Sequence, residues 1–157
     1  MIKAIYLKSN RIGYGSEPDS DAVVEERISI YSNWNATLSY YCYGEGHPYR
    51  LCSTNTYTLE KDIVKEILNV TEICFTEKYK KHFVTDIGVW NLKLEYDDEK
   101  ELYYSGSLIR DDIIEGMHIS QLIRQAFNDS SIWAFDGNGV SVTHGSLFED
   151  LFGWLKF

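Results

Sequence analysis

Apolar and polar residues alternate most regularly between Trp90 and Gly106. Trp90, Leu92, Leu94 and Tyr96 are interleaved with Asn91, Lys93 and Glu95, a period of two that sends one set of side chains into a core and the other into water. Asp97 to Lys100 reads as an acidic turn, after which Leu102, Tyr104 and Gly106 alternate with Glu101, Tyr103 and Ser105. The pattern predicts a β-hairpin. A second hairpin is predicted upstream, where Val24 to Tyr31 is followed by the Asn-rich turn Ser32-Asn33-Trp34-Asn35 and by Ala36, Leu38, Tyr40 and Cys42 in alternation with Thr37, Ser39, Tyr41 and Tyr43. Trp34 at such a turn is expected to be partly exposed.

Three further extended segments are predicted: a first strand from Ile2 to Leu7, one between Tyr49 and Tyr57, and a hairpin at Ile132–Phe135 returning through Val140 and Val142. The helical period appears twice. Leu59, Ile63, Val64, Ile67 and Leu68 form a stripe with Thr58 as N-cap, and Ile73, Cys74, Phe75, Tyr79 and Phe83 continue it beyond Asn69-Val70-Thr71, a weak point that predicts a bend or two abutting helices. Lys78, Lys80, Lys81 and His82 would complement the end of that helix. Ile119, Leu122, Ile123, Ala126 and Phe127 make a second helix that Asn128 stops. Ser146 to Glu149 has the spacing of a capping box and opens an aromatic tail, which packs on its own sheet or forms a homodimer or partner contact. Hairpins separated by helices imply an α+β fold, an antiparallel sheet with two main helices on one face, as a single domain over residues 1–157.

Of the 157 residues, 44% are hydrophobic and 15% aromatic, enough for one compact core. No signal-peptide pattern and no run of about 18 apolar residues is present, which predicts a soluble, cytoplasmic protein. Cys42, Cys52 and Cys74 form neither a CxxC pair nor an even set, so reduced thiols are expected. Ser9 to Asp21 has the composition of a mobile loop. Its GYGS piece lacks the Lys and following helix of a phosphate-binding loop.

The net charge of −9 is unevenly spread: residues 83–117 carry nine acids against Lys93, Lys100 and Arg110, whereas residues 1–12 carry Lys3, Lys8 and Arg11 with no acid. A surface of that sign repels phosphate backbones and makes direct nucleic-acid binding unfavourable.

The wording FVTDIGVW (Phe83–Trp90), SGSL (Ser105–Leu108) and FDGN (Phe135–Asn138), with ERISIYSN (Glu26–Asn33) upstream, resembles a family of small acidic proteins from Gram-positive gut bacteria, their phages and mobile elements. The resemblance covers about residues 24–138. It implies a bacterial or phage origin and carries no assigned activity.

Catalytic chemistry has little textual support. His47, His82, His118, His144, Asp86, Asp136 and Ser107 are loose candidates for acid–base or nucleophilic roles, but no HExxH, GxSxG or CxxC spacing gathers them. Asp86 and Asp136 stand in turn-forming Asp-Ile-Gly and Asp-Gly-Asn pieces that read as structural before they read as metal ligands. No cofactor or metal is expected. A small hydrolase or metal-dependent enzyme with an Asp/His site is the alternative reading.

Binding accounts for more of the composition. Twelve tyrosines are present, and Trp34, Tyr41 and Tyr43 fall at surface positions by alternation, of the residue types that dominate protein interfaces. With the acids Asp97, Asp98, Glu99, Glu101, Asp111 and Asp112 they describe a surface for a basic protein partner. An inhibitor of anti-CRISPR, anti-defence or immunity type would have this character.

Overall fold

The computed structural model describes residues 1–12, 18–44, 49–76, 79, 88–109 and 118–138. Six strands form one antiparallel sheet: β1 (Ile2–Asn10), β2 (Val23–Tyr31), β3 (Asn35–Cys42), β4 (Arg50–Thr58), β5 (Val89–Tyr96) and β6 (Glu101–Ser107). Their order is β4-β3-β2-β1-β5-β6, so the amino-terminal strand is central, with a three-strand meander on one side and a hairpin on the other. Two helices, α1 (Lys61–Cys74) and α2 (Ile119–Phe127), complete an α+β fold and pack on each other. Val64 and Ile67 of α1 and Ile119, Ile123 and Phe127 of α2 share one core with the inward residues Ile5, Leu7, Ile28, Ile30, Leu92 and Leu94. The expected α+β sheet of hairpins is therefore what the chain forms.

The alternation rule places the strands well. Leu7 stands opposite Ile28 and Leu92, all buried, and Leu92 opposite Tyr104. Trp90 lies opposite Gly106, whose missing side chain receives the indole: a Cβ there would sit 2.5 Å from Cζ2.

Elsewhere long-range packing overrides local preference. α1 runs as one continuous helix through Asn69-Val70-Thr71, with Thr71 buried and its hydroxyl donating to the Ile67 carbonyl at 2.7 Å within the helix, so two abutting helices do not form. Its N-cap is Glu60, not Thr58, which ends β4. The helix does not reach Tyr79. It stops at Cys74 because Phe75 leaves helical geometry to bury its ring beside Trp90, Tyr104 and Phe135. The cations Lys78, Lys80, Lys81 and His82 lie outside the described residues, as do the return strand at Val140 and the aromatic tail.

Ile132–Phe135 is not a strand. Its backbone N–H groups are taken by side chains instead of a neighbouring strand: Trp133 and Ala134 donate to the Glu26 carboxylate, and Phe135 and Asp136 to the Ser120 hydroxyl. Arg124 clamps both ends of this loop, donating to the Ile132 carbonyl at 2.8 Å and to Asp136.

The cysteine expectation is also corrected. A bulge between Tyr40 and Tyr41 in the β3–β4 pairing brings Cys52 beside Cys42, their Cα atoms 5.9 Å apart, and the two form a disulfide. Cys74 is buried and takes no part in that disulfide. Among the described residues no helix is long and apolar enough to cross a membrane.

Candidate functional site

Because β1 runs antiparallel to both β2 and β5, its first residues lie beside the ends of those strands, Ala4 opposite Tyr31 and Ile2 opposite Tyr96. The β2–β3 turn and the β5–β6 turn therefore emerge at the same end of the sheet. Both are tied to the start of β1: the Ser32 N–H donates to the Lys3 carbonyl at 2.9 Å and the Asp97 N–H to the Met1 carbonyl at 3.1 Å.

The turns share one construction. Trp34 donates its N–H to the Tyr31 carbonyl as Glu99 does to that of Tyr96. Asn33 Oδ1 accepts from the Asn35 N–H as Asp98 Oδ1 does from that of Lys100, at 3.2 Å in each case. Trp34 and Glu99 then adopt left-handed backbone, at φ 71° and 65°, where a three-residue hairpin loop ordinarily carries Gly. At this end the structure groups Trp34, 38% exposed and with the Lys61 ammonium 5.3 Å from its ring, with the exposed acids Asp97, Asp98 and Glu99.

Glu101 follows on the sheet face away from the helices. There Lys93 bridges Glu95 at 2.8 Å and Glu101 at 3.1 Å, and Tyr103 donates to Glu101 at 2.6 Å. The Tyr103 hydrogen bond, with help from Lys93, holds the Glu101 carboxyl below its ordinary range, and Lys93 does the same for Glu95. Those two carboxylates are engaged internally, and the outward negative charge falls to Asp97, Asp98 and Glu99.

The remaining predicted residues are not part of this group. Tyr41 lies opposite Glu25 at the far end of β3, under the Arg27 guanidinium at 4.0 Å, and Tyr43 stands beyond it with its ring 6.4 Å from that of Tyr49. Asp111 and Asp112 lie outside the described residues.

Of the residues considered for catalysis, Asp136 accepts the Arg124 guanidinium and the Asn138 N–H, which makes it the anchor of a loop. Ser107 is buried and His118 precedes α2, while His47, His82, His144 and Asp86 lie outside the described residues. Among the described residues no three His, Cys, Asp or Glu side chains gather as a metal site.

The sequence reading missed Glu26. It is fully buried, and burial pushes its carboxyl up to about 7 against the pull of the Trp133 and Ala134 amides and the Arg11 guanidinium. Arg11 lies 3.8 Å over the Trp133 ring and donates to the Gly137 carbonyl. A signal was present: Val24, Glu26, Ile28 and Ile30 share one phase of the alternation, which puts an acid among core positions.

No protein-family model matches the chain, and no curated protein matches it either.

Proposed function

We propose that this protein acts by binding another protein, without catalysis, and that the sheet end bearing Trp34, Asp97, Asp98 and Glu99 meets a basic surface on the partner. The observation that carries this reading is the pair of like-built turns, which put an indole and a carboxylate at the same end of the sheet in positions where glycine is the ordinary choice. Left-handed backbone costs a non-glycine residue roughly 1–2 kcal/mol. Such local strain concentrates at functional sites. An exposed Trp gives an interface its anchor, and the acids give long-range attraction and orientation. An inhibitor that covers a basic nucleic-acid groove, of anti-defence or immunity type, matches this chemistry, with the bacterial or phage origin that the sequence resemblance implies.

The test is capture by the immobilised full chain, run in parallel with a variant carrying Asp97→Lys, Asp98→Lys and Glu99→Lys. A specific basic partner should be retained by the parent, lost by the variant, and released by added salt. Retention unchanged by the reversal overturns the reading.

A further inference from the structure

The sheet face turned away from the helices carries a groove of about 500 Å³ across β2, β1, β5 and β6. Register alone determines its chemistry. In one row Tyr103 stands opposite Lys93, and Lys93 opposite Tyr6. In the next, Asn91 stands opposite Lys8, and Lys8 opposite Arg27. Neither row contains an acid, in a chain whose net charge is −9. The short side chains of Ser29 and Ser105 leave depth between the longer ones.

Lys8 and Arg27 are the unusual feature. Like charges directly opposite each other on antiparallel strands destabilise the sheet. Arg27 finds Glu25 at 2.7 Å, but Lys8 is exposed and has no hydrogen-bond or ion-pair partner among the described residues. Lys8 therefore offers an uncommitted ammonium in register with a second cation, Arg27, whose guanidinium is shared with Glu25 and Tyr41.

The rows on either side limit what that anion can be. Glu95 and Glu101 border the groove on one side and Glu25 on the other. A polyanion running on along the strands would meet carboxylates, whereas a single anionic group fits between them. Tyr103, 67% exposed, and Tyr6 offer aromatic surface at the other edge of the groove, and planar groups stack on such rings.

We propose that this groove binds a small anion with a planar body, its phosphate or carboxylate group on Lys8 and Arg27 and its ring against Tyr103 and Tyr6. The volume agrees with that of small-molecule sites, roughly 300–1,000 Å³. This site is separate from the acidic end, and its test does not depend on a protein partner.

The probe is adenosine monophosphate, titrated into the full chain by calorimetry, with adenosine and inorganic phosphate titrated separately. Adenosine monophosphate should saturate by about 10 mM, with each of its halves binding at least about tenfold more weakly. Lys8→Ala should weaken it about tenfold, the size of one charge-assisted hydrogen bond, while leaving the melting temperature unchanged or higher because the like-charge contact is gone. Lys3→Ala, on the same strand but outside the groove, should change nothing. Failure of adenosine monophosphate to saturate, adenosine binding equally well, or Lys8→Ala binding like the parent each overturns the proposal.

Discussion

Trp34 and Glu99 occupy equivalent positions in the two hairpin turns at one end of the sheet, each with left-handed backbone and each donating its N–H to the carbonyl of a tyrosine three residues earlier. Glycine adopts this backbone without steric penalty, so Trp34→Gly and Glu99→Gly should each leave the fold intact. Each should raise stability by up to about 1 kcal/mol, the strain relieved minus the extra chain entropy of glycine. Urea denaturation measures this. A loss of more than about 1 kcal/mol would show that the side chain carries packing which its exposure does not indicate.

If those side chains are present for binding, the same substitutions separate stability from association. Trp34→Gly should abolish capture of the basic partner while folding holds or improves, because anchor residues of this type contribute about 2 kcal/mol or more to an interface. Glu99→Gly should weaken capture less, and mainly through a slower association rate that salt masks. Surface plasmon resonance at two ionic strengths distinguishes the two effects.

The strands and the sheet's two faces were legible in the sequence because alternation is a local signal, and Trp90, Leu92 and Leu94 point where the period of two sends them. That Trp34 and Asp97–Glu99 emerge at the same end of the sheet was not legible. It depends on β1 lying between β2 and β5, and the β1–β5 pairing joins residues as far apart in the chain as Ile2 and Tyr96. The same limit hid the Cys42–Cys52 bond, which requires a bulge in the β3–β4 register. Ile132–Phe135 has the composition of a strand, yet it became a loop because Glu26 and Ser120 supplied the acceptors that a neighbouring strand would have offered. Propensity measures how a residue suits a strand, and tertiary partners decide whether one forms.

Gly106 tests the tightest part of the core. The Trp90 ring fills the space where a side chain would begin, with Cζ2, Cε2 and Nε1 at 2.5, 2.7 and 3.0 Å from an added Cβ. Trp90 is itself enclosed by Phe75, Tyr79 and Phe135 and has nowhere to retreat. Gly106→Ala should therefore cost about 1–3 kcal/mol as overpacking and shift the tryptophan emission. An unchanged melting temperature would mean that the indole can move.

Arg124 fastens the loop that carries the FDGN residues. Its guanidinium donates to Asp136 Oδ2 at 3.0 Å and to the Ile132 carbonyl at 2.8 Å, with side-chain exposures of 10% for Arg124 and 20% for Asp136. Arg124→Ala strands a largely buried carboxylate and should destabilise by about 3 kcal/mol. Lysine lacks the planar fork that reaches both acceptors, so Arg124→Lys should recover less than half of the loss. Full recovery by lysine would reduce the contact to simple charge neutralisation.

Glu26 gives the protein a predicted dependence on pH. Burial is the largest influence on its carboxyl, raising it from 4.5 to about 7; the amides of Trp133 and Ala134 and the charge of Arg11 oppose the rise, and nearby Asp129 adds to it. The folded value lies above the unfolded one, so the native state binds the proton more tightly. The resulting stabilisation is complete below pH 4.5 and is lost as pH rises through about 7. A shift of that size corresponds to about 3 kcal/mol in order of magnitude. Glu26→Gln removes the titration while keeping an oxygen that can accept from the loop, so its stability should be nearly flat between pH 5 and 8, the range flanking the native titration, where that of the parent declines. Denaturation across this range compares the two slopes. Parallel slopes would mean that Glu26 is ionised throughout, with the two amides and Arg11 outweighing its burial.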